Sequence, residues 1–193
     1  MTAPGRIVSG LFISLDGVVE APERWHFPYY NDEMAGAIMR ASGSAAFLMG
    51  RVLYDEWSKY WPGQDRVEPD AIVGDAHEFA SMINAAPKYV VSTTLQDPAW
   101  SNTQVIDGDV VTGIRSLKAT VDGDITMSGS ATLVRWLLAN GLLDELHLMI
   151  HPVVVGKGRR LFDGDTGMQP LSLVRHQVFE TGVVSATYAP AER

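Results

Sequence analysis

One run near the C-terminus constrains this chain more than any other. Residues 142–162 read Leu-Leu-Asp-Glu-Leu-His-Leu-Met-Ile-His-Pro-Val-Val-Val-Gly-Lys-Gly-Arg-Arg-Leu-Phe. An acidic pair opens an apolar stretch rich in Val, Leu and Ile, and a Gly-Lys-Gly elbow then leads to a basic pair and an aromatic. The stretch is continuous where a half-exposed strand would alternate, so it predicts a strand buried on both faces. Such a strand needs helices on both sides of its sheet, which predicts an α/β architecture. Just before it, residues 127–133 (Met-Ser-Gly-Ser-Ala-Thr-Leu) have the pattern of a strand turning sharply into a helix. The two segments together point to nucleotide-binding chemistry.

The rest of the chain alternates strand and helix signals. Ile7 to Leu15 reads as a central strand, and Asp16-Gly17 is a turn signal. Residues 20–30 hold two prolines and the aromatics Trp25, Phe27, Tyr29 and Tyr30, which predicts a loop. Asn31 is placed to cap a helix running to about Arg40, with Asp32 and Glu33 in its first turn. A short buried strand over 45–49 ends at Gly50-Arg51, and a helix over 52–58 is broken by Trp61-Pro62-Gly63. Residues 64–74 are polar and irregular, and a helix follows over 75–84. A strand from Lys88 ends in hydroxyls at Ser92. Residues 110–118 read as a helix and 124–127 as a strand. Residues 130–139 form a second helix, closed by Asn140-Gly141. Two β-rich runs around Glu180-Thr181-Gly182 predict an antiparallel hairpin over 171–188. The order predicts one three-layer α/β domain over the whole 193 residues, with a parallel core and an antiparallel edge.

A net charge of −8 argues against a nucleic-acid binder, which would present a basic face. With no cysteine, disulfides, thiolate metal sites and cysteine nucleophiles are excluded. No apolar run approaches the roughly 18–20 residues of a membrane span. The N-terminus lacks the basic and apolar regions of a secretory signal, so a cytoplasmic protein is expected.

Three predicted strand ends share one character: Gly50-Arg51, Ser92-Thr93-Thr94, and Ser128-Gly129-Ser130-Ala131-Thr132. Ligands of parallel α/β sheets bind beyond the carboxyl ends of the strands. Gly50 and Gly129 let backbone come close to a ligand, and the helices that follow present free N–H groups to an anion. Arg51 adds a planar donor suited to phosphate, and the hydroxyls of Ser92, Thr93 and Thr94 could complete a phosphate shell. No P-loop and no G-x-G-x-x-G after the first strand is present. Gly156-Lys157-Gly158 reads as a tight bend flanked by basic side chains.

The order of Ser14-Leu15-Asp16-Gly17-Val18-Val19, Leu48-Met49-Gly50-Arg51, residues 90–95 with Trp100 downstream, 127–133 and 144–162 resembles the dihydrofolate reductase superfamily. Within it, the last two segments resemble the branch of the C-terminal reductase domain of the bifunctional riboflavin-biosynthesis deaminase/reductase. The resemblance implies a mixed, mainly parallel sheet of about eight strands with a C-terminal antiparallel hairpin. It also implies NADPH as hydride donor, a small heterocyclic substrate of the pteridine or aminopyrimidine kind, and a homodimer. By position, Gly50 and Arg51 would meet cofactor phosphates, and Ser92 and Thr93 would lie near the 2′-phosphate. Gly129, Ser130, Ala131 and Thr132 would hold the pyrophosphate, while Phe12 and Val19 would border the nicotinamide. Leu53 stands where relatives often carry Thr, and Ser128-Gly129 where Gly-Gly is common. A cysteine-free chain cannot supply the deaminase zinc site, so the resemblance extends to a standalone reductase. The alternative is a non-catalytic, dimeric nucleotide-binding or interaction module of the same fold.

Hydride reduction needs a proton for the second atom, from an acid or a bound water. Asp32 and Glu33 are the candidate acids, or they only complement the helix dipole. Asp16 is expected to be structural. The aromatics of 20–30 could wall a flat heterocycle or form a dimer contact. His147 and His151 lie four apart on one face of the long strand, about 13 Å from each other and too far to share a metal ion. Three Asp-Gly-Asp triplets (107–109, 122–124, 163–165) lack calcium-loop spacing and read as turns.

Overall fold

Strand β1 (Arg6–Ser14) sends Ile7, Leu11 and Ile13 into one apolar cluster and Phe12 into another. This two-sided burial makes it a central strand. It pairs in parallel with β5 (Asp124–Ser128) on one side and β6 (Glu145–His151) on the other. In the computed structural model the described residues are 4–41, 43–66, 76–164 and 167–191. The remaining elements are α1 (Asp32–Ala41), β2 (Ala46–Gly50), α2 (Arg51–Tyr60), α3 (Ala76–Ala85), β3 (Lys88–Val91), β4 (Thr103–Ile106), α4 (Val110–Thr120), α5 (Ala131–Ala139), β7 (Leu171–Val178) and β8 (Val184–Pro190).

The sheet has eight strands in the order β4-β3-β2-β5-β1-β6-β8-β7. Strands β1 to β6 run parallel, and β8 and β7 add an antiparallel edge. Helices α4 and α5 pack on one face through Ile114, Leu117, Leu133, Val134 and Leu137. On the other face Met34 of α1 joins Met149 and Phe179, while Tyr54 of α2 and Ile83 of α3 meet Phe47 and Met49. The three-layer, mainly parallel arrangement is the expected one.

The apolar run at 142–162 is a shorter strand than expected. Only Glu145–His151 pairs in the sheet, buried on both faces. Pro152 has no N–H to continue the ladder, so the chain leaves the sheet and Val154 is exposed. The acidic pair at its start is anchored on neighbouring elements. Asp144 accepts from the Ile7 amide and from Lys118 Nζ, and the nearly buried Glu145 pairs with Arg6 and Arg175. Strand β4 had no counterpart in the expected order: four residues at the sheet edge, alternating in burial only weakly, leave little apolar signature. Residues 20–30 contain two 3-10 turns, Pro22–Arg24 and Phe27–Tyr29. Of the polar segment expected at 64–74, residues 67–74 lie outside the described residues. No helix among the described residues is long and apolar enough to cross a membrane.

Candidate active site

Strands β2 and β5 pair only through Ala46–Ile125 and Phe47–Thr126. Past those residues no pairing joins them, and each runs straight into a helix: Gly50 into α2, and Ser128 through Gly129-Ser130 into α5. The opening lies at the carboxyl ends of parallel strands, where open α/β sheets bind ligands. Across it the Gly50 amide donates to Ser130 Oγ at 3.0 Å. A Cβ on Gly50 would stand 3.1 Å from that oxygen, tight enough that Ser130 would have to shift by a few tenths of an ångström. Gly129 and Ser130 are successive left-handed residues, at φ 77° and 57°. Glycine adopts this conformation freely, whereas serine adopts it at a cost of about 1–2 kcal/mol. Strain of this kind is held in place by the surroundings and collects at functional sites.

The caps of the helices differ in an informative way. Asn31 caps α1 through the Met34 amide, and Asp109 caps α4 through the Thr112 amide. Gly50 and Ser130, at the starts of α2 and α5, give their helices no side-chain cap. The first-turn N–H groups of Arg51 onward and of Ala131 onward therefore have no side-chain acceptor at the opening, and both helix dipoles favour an anion there.

Arg51 is held in position. Its Nε donates to both carboxylate oxygens of Asp55, at 2.9 and 2.8 Å, and an Nη donates to Thr94 Oγ1 at 3.2 Å. These contacts aim the planar guanidinium across the end of β3, with part of its fork left for an incoming oxygen. The Ser92 hydroxyl faces inward and accepts from the Thr94 and Leu95 amides, which makes it the cap of its own turn. Thr93 and Thr94 are exposed beside it. Asp55 escaped the sequence reading, although an Arg with Asp four residues later on a helix is a recognisable pair.

The structure thus gathers Gly50, Arg51, Thr94, Gly129, Ser130, Ala131 and Thr132 around one opening. Ala131 is buried there and Thr132 is exposed. Phe12 and Val19 sit on or just beyond the neighbouring β1: Phe12 stacks on His26, and the Val19 amide donates to the Arg159 carbonyl. The two candidate acids are placed differently. Asp32 is exposed on the first turn of α1, whereas Glu33 accepts from Gln177 Nε2 at 2.7 Å and from the Glu180 amide at 3.1 Å, tying α1 to the β7–β8 hairpin. Asp16 accepts from Ser14 Oγ, the Val155 and Gly156 amides and Arg160, fastening the β1 turn to the segment after β6. These donors, Ser14 first, hold its carboxyl well below the usual range. His147 bonds Ser185 Oγ between β6 and β8.

The description "RibD C-terminal domain" matches residues 6–185. The chain belongs to the RibD C-terminal domain family. A relative of this family member, the uncharacterized protein YyaP of Bacillus subtilis (strain 168), is 30% identical over 191 residues, covering 95% of this chain and 94% of YyaP. Among solved structures, a proposed riboflavin biosynthesis protein from Shewanella sp. PV-4 superposes with a TM-score of 0.73 at 17% identity, over 97% of this chain and 99% of the other. Dihydrofolate reductase from Enterococcus faecalis, in complex with NADP(H), gives a TM-score of 0.61 at 12% identity, with 100% of each chain covered. At these identities the two structures establish that the RibD C-terminal domain member shares the dihydrofolate reductase-like fold.

Proposed function

We propose that this RibD C-terminal domain protein is an NADPH-dependent reductase that passes hydride to a small planar heterocycle of the pteridine or aminopyrimidine kind. The observation that carries the reading is the pair of uncapped helix N-termini, α2 and α5, joined by the Gly50–Ser130 bond at the parting of β2 and β5. That arrangement suits a pyrophosphate, with the amides of residues 130–132 on one side and those after Gly50 on the other. On this reading Arg51 and Thr93 would meet the ribose 2′-phosphate and favour NADPH over NADH, with the exposed Thr94 taking the part expected of Ser92, whose hydroxyl is engaged by its own turn. Phe12 and Val19 would border the nicotinamide. When bound, NADPH supplies the hydride; the chain's own residues orient the two reactants and keep water away. With Glu33 engaged by the hairpin, Asp32 is the candidate left on α1 to hold or relay the proton.

The test is a titration of intrinsic tryptophan fluorescence with NADPH and NADH. Saturable quenching by NADPH, with NADH much weaker, supports the reading; no binding of either at millimolar concentration sinks it.

A second reading has one observation in its favour. Leu53 packs near Gly129, where, on the cofactor reading, a hydroxyl would add a phosphate contact. This favours a binding module without turnover, and steady NADPH oxidation with any pterin or pyrimidine acceptor would refute it. The homodimer would use β7, an edge strand exposed at every residue from Ser172 to Val178. The net charge of −8 and the lack of cysteine fit a cytoplasmic enzyme.

A further inference from the structure

The guanidinium at the start of α2 is fixed from two sides by groups on different elements. On one side Arg51 Nε donates to both carboxylate oxygens of Asp55, one helical turn along α2, at 2.9 and 2.8 Å. On the other Nη1 donates to Thr94 Oγ1 at 3.2 Å, and Thr94 stands on a turn closed by the Thr94 and Leu95 amides donating to Ser92 Oγ. Two anchors set both the reach and the roll of a planar group. The remaining N–H groups, one on Nη1 and two on Nη2, meet no acceptor among the described residues. One from each nitrogen points the same way, a fork for two oxygens of a single phosphate.

Arg135 on α5 shows the contrast. Its Nη1 donates to the carbonyls of Arg160 and Leu161 and to Asp163, so that nitrogen is committed to holding one segment on another. The Arg51–Asp55 pair has no such structural task. Its side chains are 37% and 43% exposed, and an exposed ion pair one turn apart on a helix adds little to a fold.

Asp55 acts on an incoming phosphate in two opposite ways. Its charge repels the ligand, which between screened, exposed groups weakens binding about two- to threefold. Its hydrogen bonds hold the fork ready. An arginine left free in the unliganded protein would have to be ordered by the ligand, at about tenfold in affinity. On these magnitudes the aim outweighs the charge.

We propose that Asp55 is a positioning residue that sets the preference for a 2′-phosphorylated nucleotide, acting through Arg51 and against its own charge. The proposal rests on the reductase reading, which places a 2′-phosphate at Arg51, and adds to it the group that makes Arg51 selective. Asp55 leaves only the Nη edge open, so an anion is taken end-on, beside Thr93 and Thr94, and not along the Nε side.

The experiment is a calorimetric titration of the whole protein and its Asp55→Ala and Asp55→Asn variants. The probes are adenosine 2′,5′-bisphosphate and adenosine 5′-monophosphate, which differ only in the 2′-phosphate. Asp55→Ala should weaken the bisphosphate about 3–5-fold and leave the monophosphate unchanged. Asp55→Asn keeps an acceptor for Nε without the charge and should bind the bisphosphate as tightly as wild type or up to about threefold more tightly. Equal or tighter bisphosphate binding by the Ala variant overturns the proposal, because the charge then dominates. An Asn variant as weak as the Ala variant, or equal losses for the two probes, overturns it as well. Wild type that prefers the bisphosphate, with all three proteins alike, sinks the role of Asp55 alone. Wild type that binds the two probes equally, or binds neither, sinks the 2′-phosphate placement and the proposal with it.

Discussion

The Gly50 amide donates a 3.0 Å hydrogen bond to Ser130 Oγ across 80 residues of sequence, joining the starts of α2 and α5. Gly50 has an extended backbone that any residue can adopt (φ −83°, ψ 164°), so the cost of a side chain there is steric: a Cβ would lie 3.1 Å from Ser130 Oγ, which would have to give by a few tenths of an ångström. Gly50→Ala should push Ser130 aside and weaken NADPH binding. Ser130→Gly should relieve a left-handed serine, raising thermal stability by about 1 kcal/mol. It should also lose the hydrogen bond and lower NADPH affinity about 2–10-fold. Thermal melts and fluorescence titration on the same samples would separate the two effects; unchanged affinity in both variants would place the pyrophosphate elsewhere.

Arg51 offers a second check on the cofactor. Removing a charge-assisted phosphate contact costs about 1.5–3 kcal/mol, so Arg51→Ala should weaken NADPH about 10–150-fold. NADH lacks the 2′-phosphate and should lose little. Arg51→Lys should recover only part of the affinity, because an ammonium cannot hold Asp55 bidentately and still reach Thr94. Equal losses for NADPH and NADH would overturn the 2′-phosphate assignment.

Lys88, the first residue of β3, is fully buried with its ammonium against the C-terminal end of α3. Its ammonium donates to the carbonyls of Ile83, Asn84 and Ala86 and lies 4.7 Å over the Trp100 ring. A cation there satisfies the last carbonyls and the negative end of the helix dipole. Lys88→Met should destabilise the protein by about 2–4 kcal/mol in chemical denaturation, because it leaves buried acceptors unpaired. Burial pushes the lysine down to about 8 from an ordinary 10.5. The unfolded chain therefore binds the extra proton between those values. Wild-type stability should rise with pH across that window and fall as pH drops through 8, and the Met variant should lack the slope.

Acid should destabilise the fold in two separable stages. Burial, with the neighbouring His151 second, lowers His26 to about 4 from 6.5. Its neutral form is the folded one, so stability present above pH 6.5 is lost as pH falls toward 4. Asp16 is held below its ordinary 3.8 by Ser14 and the amides of Val155 and Gly156. Its contribution is intact above that value and lost beneath it. His26→Leu should reduce the first stage, to which the buried His147 and His151 also contribute, and Asp16→Asn the second, measured by urea midpoints from pH 7 to 3. Identical profiles for both variants and wild type would refute the assignment.

How far the sequence is legible depends on whether a signal is local. Asn31 and Asp109 cap their helices within three residues, and the hairpin turn at 179–183 joins neighbours in the chain. The candidate Gly50-Arg51 and residues 129–132 could be found because a strand end passing into a helix is a short pattern. The length of β6 could not be read from hydropathy: Val153 to Val155 are as apolar as a strand, and their departure depends on Pro152 and on the bonds of Val155 and Gly156 to Asp16, 139 and 140 residues away. Glu33 looked like an open carboxylate because its partners, Gln177 and the Glu180 amide, lie 144 and 147 residues downstream.

By itself, then, the amino-acid order determined the alternation of strands and helices, the parallel core with its antiparallel edge, and the family, since each follows from periodicity, turn chemistry and ordered motifs within short windows. Only the tertiary structure decided which polar groups face one another. It set Ser130 against Gly50, aimed Arg51 at Thr94, committed Glu33 to the hairpin, and packed His26 against His151. Hydrogen bonds act over about 3 Å and depend on direction, so partners far apart in sequence are chosen only once the sheet has brought its strand ends into register.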